Sequence, residues 1–279
     1  MNLSIDHVTI CGSNLERMRA DFAAVGLRTM YGGRHANGIT QMDLLTFPDG
    51  SYIELIAPYT SLAGAGGMMS GWAKLMEGDA GCGAWAARSR DIQAETSRLR
   101  SAGIEARGPE AGGRQRADGT KLEWETAIVG PGSAGSVLPF LIEDKTPRDL
   151  RVPRPDGMSF IDGVGAVLIG VRDLESATTL FRRAFDLQNA TIEEHPDFGA
   201  TLARFVNSPV MLASPTNTNS WLADRLQKFG ECPAAFLLNT SSATTDLLIT
   251  AKSMHWFRTE VAFFDPQRLH GARIGLIRG

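Results

Sequence analysis

The sequence predicts an α+β fold: four βαβββ modules paired two and two into curved mixed β-sheet bowls, with helices on the outer faces. Three observations lead there. Residues 1–58 read as a strand, an amphipathic helix and three further strands. A strand, a helix and strands return after the Gly- and Met-rich stretch Ser61 to Gly71. Finally, Val8, Ile10, Leu15, Glu16 and Phe22 recur as Val167, Ile169, Leu174, Glu175 and Phe181 at the single offset 167 − 8 = 159, which marks a structural repeat. One such unit cannot bury its sheet face alone, so pairing curls two sheets around a shared cavity.

In the first strand, alternation puts Ile5, His7 and Thr9 on one face and Asp6, Val8 and Ile10 on the other. Ser13 or Asn14 can cap the following helix, which carries Leu15, Met18, Phe22 and Val25 at helical spacing and ends at Gly26. If Val8 and Ile10 take the helix side, His7 faces the open side. Gly32 to Gly38 (GGRHANG) reads as a turn-rich connection. Strands Ile39 to Phe47 and Ser51 to Pro58 follow, joined by Pro48-Asp49-Gly50. In the second unit, GCGAWAARS, KLEWETAIV and VLPFLIED read as strands and DIQAETSRLRSAG as a helix. The segment EAGGRQRADG is a long hairpin or flap, or else a solvated loop. A Pro-rich stretch separates the halves, so the expected division is 1–148, a linker at 149–158, and 159–279. The last module offers PAAFLLNTS, a weak helix around Ala243 to Ala251, and closing strands RTEVAFF and ARIGLIRG.

With 43% hydrophobic and 21% charged residues the chain can build a core. Its formal charge of -3 does not point to nucleic acid or an anionic membrane surface. No apolar run reaches the ~20 residues of a membrane span and the N-terminus lacks a signal-peptide layout, so a cytoplasmic location is expected. Cys11, Cys82 and Cys232 have no CxxC spacing and read as small buried residues. Nucleophile-elbow, phosphate-loop and dinucleotide fingerprints are absent.

Among candidate site residues, Glu54 shares a strand face with Tyr52 and Ile56. A carboxylate there is either partnered or functional, because burying it uncompensated is costly. Arg34 and His35 could contact an anionic or carbonyl group of a ligand, and otherwise are solvated loop charges. Trp85, Trp124, Trp256 and Phe140 are candidate cavity walls or ordinary core. His195 reads as a surface turn residue, and His270 as a turn or hydrogen-bonding residue.

The opening IDHV, the GGRHANG loop and SYIELIAP resemble the glyoxalase-like branch of the vicinal oxygen chelate superfamily. LPFLIED, VLIGVRDLE and FFDPQRLHGARIGLI extend the resemblance over nearly the whole chain. It implies lyase, isomerase or ring-cleaving dioxygenase chemistry on a small oxygenated, partly apolar metabolite, or else non-catalytic binding and sequestration of a small molecule. It further implies a divalent metal (Fe, Mn, Co, Ni or Zn) held by His7 and Glu54, which would double as catalytic residues. His35, Gln41, Glu123, Glu125, Glu143 and His255 are the candidates for a third ligand, and the alternative for His7 and Glu54 is a metal-free polar pair. Arg34, His35, Gln41 and Tyr52 are the expected substrate contacts. A homodimer is compatible with the resemblance. The sequence departs from the family pattern in the other modules, where the places of His7 and Glu54 fall on Ala84 and Phe140, on Ala166 and Met211, and on Pro233 or Ala234 and Gly275.

Overall fold

A computed structural model describes residues 3–63, 69, 71–116, 118–154, 160–240 and 253–278. The first module is β1 (Ile5–Cys11), α1 (Leu15–Ala24), β2 (Met30–His35), β3 (Thr40–Thr46) and β4 (Tyr52–Pro58). A short helix α2 (Trp72–Glu77) leads to β5 (Gly81–Arg88), α3 (Ile92–Ser101), β6 (Ala106–Gln115), β7 (Lys121–Val129) and β8 (Phe140–Asp144). After α4 (Arg148–Arg151) the third module is β9 (Gly163–Gly170), α5 (Leu174–Phe185), β10 (Thr191–His195), β11 (Ala200–Arg204) and β12 (Val210–Pro215). The fourth follows α6 (Trp221–Phe229) with β13 (Cys232–Thr240), β14 (Ser253–Trp256), β15 (Thr259–Phe263), a 3-10 turn at Pro266–Leu269 and β16 (Ile274–Arg278). The expected helix at Ala243 to Ala251 lies outside the described residues.

Both halves use one strand plan. The first runs β1-β4-β3-β2-β6-β7-β8-β5 and closes into a barrel, because β1 pairs β5 and β2 pairs β6. The second runs β10-β11-β12-β9-β13-β16-β15-β14 as an open sheet. The closing contact in the first half is narrow: Arg34 pairs with Gln115 and His35 with Arg114.

That closure corrects one sequence expectation and decides between the alternatives of another. GGRHANG is not simply a turn, since β2 runs through to His35 and only the residues after it turn. Gly33, at φ +113, lets it do so beside β6: a Cβ there would stand 2.7 Å from the Gln115 carbonyl oxygen. The EAGGRQRADG segment is largely strand β6, whose hairpin with β7 supplies the barrel's last staves. The long hairpin, and not the solvated loop, is therefore what the segment forms, although Gly is depleted in strands except where another group approaches closely. Gly112 is such a place, with Trp124 Nε1 only 2.5 Å from where a Cβ would be.

Helix α1 starts where the Asn14 side chain accepts the Arg17 N–H at 3.0 Å, and buries Leu15, Met18 and Phe22. Those side chains belong to one core with Val8, Ile10, Trp85 and Ala87 of the barrel wall and with Val167, Ile169, Phe236 and Leu238 of the second half. The main core therefore lies outside the barrel, between the two sheets, and the barrel interior is left for a cavity. Trp85, as part of this core, donates to the Val137 carbonyl at 3.1 Å. Burying each such large side chain stabilises the fold by roughly 1.5–3 kcal/mol.

The segment read as a linker is not a plain spacer. Arg151 is 3% exposed and its guanidinium enters the barrel. The three cysteines are buried free thiols, and burial pushes Cys82 up to about 11, which keeps it protonated at neutral pH.

Candidate active site in the N-terminal barrel

Alternation along β4 delivers Tyr52, Glu54 and Ile56 to the interior, and β1 brings His7 beside them through the parallel register His7 with Tyr52 and Thr9 with Glu54. These residues border a cavity of about 320 Å3. Its apolar wall includes Trp72, Trp124, Phe140 and Ile142. His7 lies flat on Tyr52, ring centroids 4.6 Å apart, with the edge of Phe140 at 5.4 Å.

Glu54 is 4% exposed and sits between two imidazoles. Its Oε2 accepts the Thr9 hydroxyl at 3.0 Å and stands 3.9 Å from His7 Nε2, while Oε1 is 3.4 Å from His35 Nε2. Burial alone would raise its pKa, but His35, His7 and the Thr9 hydroxyl outweigh burial and bring it down to about 2. His35 is oriented from behind by a 2.8 Å contact between Nδ1 and the Thr40 hydroxyl.

Asp6 departs from strict alternation. The register of β1 against β5 shifts between Ile5 and His7, a bulge that turns the Asp6 carboxylate to His7 Nδ1 at 2.8 Å. Arg151 donates to Asp6 at 2.9 and 3.0 Å, Arg148 bonds it as well, and Arg88 stands 3.5 Å away. Burial works against ionisation of Asp6, yet Arg151, His7 and Arg148 hold it far below the usual carboxylate range. An ionised carboxylate only accepts hydrogen bonds, so His7 carries a proton at Nδ1 and presents Nε2 to Glu54. Arg151 also donates to the Tyr52 hydroxyl at 2.9 Å, and burial pushes that phenol well up despite the nearby guanidinium.

The structure brings together His7, Glu54, His35 and Tyr52. Arg34 and Gln41 point the other way: Arg34 lies exposed with its guanidinium 3.5 Å from the Tyr59 ring centroid, and Gln41 alternates with the cavity residue Met42. Of the third-ligand candidates only His35 reaches Glu54. Glu125 and Glu143 bind Lys145, Glu123 is exposed, and His255 is an exposed residue of β14. Trp124 and Phe140 wall the cavity as expected, whereas Trp256 belongs to the second half. Sequence reasoning missed Asp6, Arg114, Arg151 and Trp72. One signal was available for Arg151: Arg148 and Arg151 are three apart in a short segment bounded by prolines, the spacing that puts both on one helix face.

Whether the family's metal fits depends on the donor set. Strands β1 and β5 pair about Val8 and Trp85, and by that symmetry Ala84 and Phe140 fill the barrel's other two ligand places. Among the described residues no three His, Cys, Asp or Glu side chains converge to hold a metal ion. The residues present therefore do not fit the family's cage: Ala84 and Phe140 offer no donor atom, and a catalytic metal usually takes three protein ligands. The second half is emptier still: Ala166 and Met211 border a cavity of about 110 Å3, and the register puts Ala235 rather than Pro233 or Ala234 in the remaining His place.

Residues 5–185 match the family model for a glyoxalase-like domain. The chain belongs to this glyoxalase-like family. No curated protein sequence is a significant match. Among solved structures, a hypothetical protein from Staphylococcus aureus is similar over 99% of this chain and 100% of its own, with 16% identity and a TM-score of 0.65, which shows a shared fold. Methylmalonyl-CoA epimerase from Mycobacterium tuberculosis matches over 44% of this chain and 91% of its own, with 19% identity and a TM-score of 0.39.

Proposed function

We propose that the protein is an enzyme that moves a proton on a small oxygenated, partly apolar molecule held in the N-terminal barrel. The observation that carries this reading is the Asp6–His7–Glu54 arrangement at the cavity edge. His7 Nε2 is the proton acceptor, its tautomer held by Asp6. Glu54, ionised between two imidazoles, stabilises the imidazolium that forms. The 3.9 Å between Nε2 and the carboxylate exceeds a hydrogen bond, so Nε2 is not tied up by Glu54 and can take a proton from a substrate group that approaches from the cavity side. The aromatic wall excludes water and holds the apolar part. Isomerase and lyase reactions both begin with such a proton abstraction. No step is routed through a metal, because only two family ligand places are kept.

The test is hydrogen exchange. Pooled small carbonyl and hydroxy compounds are incubated with the protein in D2O, and deuterium at carbon is followed by NMR. Wild-type protein is expected to label a subset, with His7→Ala and Glu54→Gln slower by about 100-fold or more. Labelling unaffected by both changes would refute the reading. Ligands that bind without labelling would favour the sequestration alternative, and stoichiometric metal in chelator-free protein, lost on His7→Ala, would restore a metal-centred one.

A further inference from the structure

Among the charged groups inside the barrel, Arg114 is the one whose partners are all neutral. It is 5% exposed and borders the same cavity as His7 and Glu54. Its Nη1 donates to the Gly32 carbonyl and its Nη2 to the Arg151 carbonyl at 2.6 Å. Every neighbouring buried arginine differs. Arg151 holds Asp6 and Asp144, and Arg148 holds the same two carboxylates. Arg114 makes no ion pair with any described carboxylate within 4.0 Å. Burial lowers its affinity for the proton, but a guanidinium stays charged at any physiological pH.

A buried cation without a counter-ion is costly, and two carbonyls use only two of its five N–H groups. The fold nevertheless spends structure on keeping it there. At Gly32 a Cβ would stand 2.8 Å from Arg114 Nη1, so the guanidinium packs directly against the β2 backbone whose carbonyl it bonds. Glu54 does not neutralise it by contact, being occupied by Thr9 and the two imidazoles.

We infer that the cavity's ligand carries a carboxylate, or an oxyanion of similar size, that docks on Arg114 and so directs the rest of the molecule towards His7 and Glu54 past the aromatic wall. The inference rests on the proposed site, but it concerns recognition and not turnover. The ligand class is then a small organic acid with an apolar body, excluding neutral ketones and esters as preferred ligands. Guanidinium and carboxylate match as a planar fork, which gives orientation as well as attraction.

The test uses phenylacetate and its uncharged twin phenylacetamide as probes, titrated calorimetrically into the full chain. Phenylacetate is expected to bind at least tenfold more tightly, a preference lost in Arg114→Gln and largely kept in Arg114→Lys. Circular dichroism and thermal melting establish that each variant is folded, and Arg114→Met, in which the preference should likewise be lost, serves if the glutamine variant is not. Equal affinity for the two probes, binding of neither, or a preference surviving Arg114→Gln in folded protein would overturn the inference. In Glu54→Gln the preference should persist or grow, since a nearby negative charge is removed. A persistent preference without any deuterium labelling would thus sink the enzymatic reading and leave the acid-binding one standing.

Discussion

Asp6 shows how one side chain sets the chemistry of its neighbour. It is fully buried, and its ionised state depends on Arg151 and Arg148. Removing the first of these by Arg151→Met should destabilise the protein by about 3 kcal/mol in urea unfolding, because a buried carboxylate then loses its best partner. Glu54 makes a pH-dependent contribution whose sign follows from its lowered pKa. The folded value of about 2 lies below the ordinary 4.5. Its stabilisation is therefore complete above about pH 4.5 and is lost as pH falls towards 2. The stability difference between wild type and Glu54→Gln, read from urea midpoints at successive pH values, should shrink across that window. His7 and Glu54 were legible in the sequence because a strand's alternation is a local rule. Asp6 was not, because the bulge that turns it depends on how β1 registers against β5.

At the scale of elements, the barrel closes only through the short β2–β6 contact. Gly33→Ala would put a Cβ against the Gln115 carbonyl in a backbone conformation that L side chains avoid. The expected cost is about 2 kcal/mol, together with faster amide exchange at His35 and Gln115 by hydrogen-exchange NMR. The helix α4 likewise acquires its meaning by docking. Its sequence, four residues among prolines, has no helical persuasion of its own, and ion pairs with Asp6 and Asp144 hold it over the barrel.

On the scale of the whole molecule, the two halves share one core, and β5 packs on β13. Arg225 of α6 ties them, donating to the Ala80 carbonyl at 2.6 Å, to the Cys82 carbonyl and to Pro233 at 2.8 Å. His270 from the last module lies between Asp21 at 3.0 Å and Asp79 at 3.4 Å of the first half. Calorimetric unfolding should accordingly be one transition with matching calorimetric and van't Hoff enthalpies. Arg225→Met, which removes the donors and leaves carbonyls unpaired, should lower stability by about 2 kcal/mol. Two separate transitions would mean that the halves fold independently.

The module repeat, the helix faces and the pairing of an imidazole with a carboxylate on one sheet face were determined by the sequence alone. Each depends on periodicity within a single element or on one offset along the chain. Barrel closure, the turning of Asp6, the entry of Arg151 and the solitary charge of Arg114 were decided only in the tertiary structure. They arise where segments far apart in the chain meet, as His35 meets Arg114 and Asp6 meets Arg151. No local pattern encodes such a meeting, since its energy comes from desolvation and charge pairing that exist only once both segments are in place.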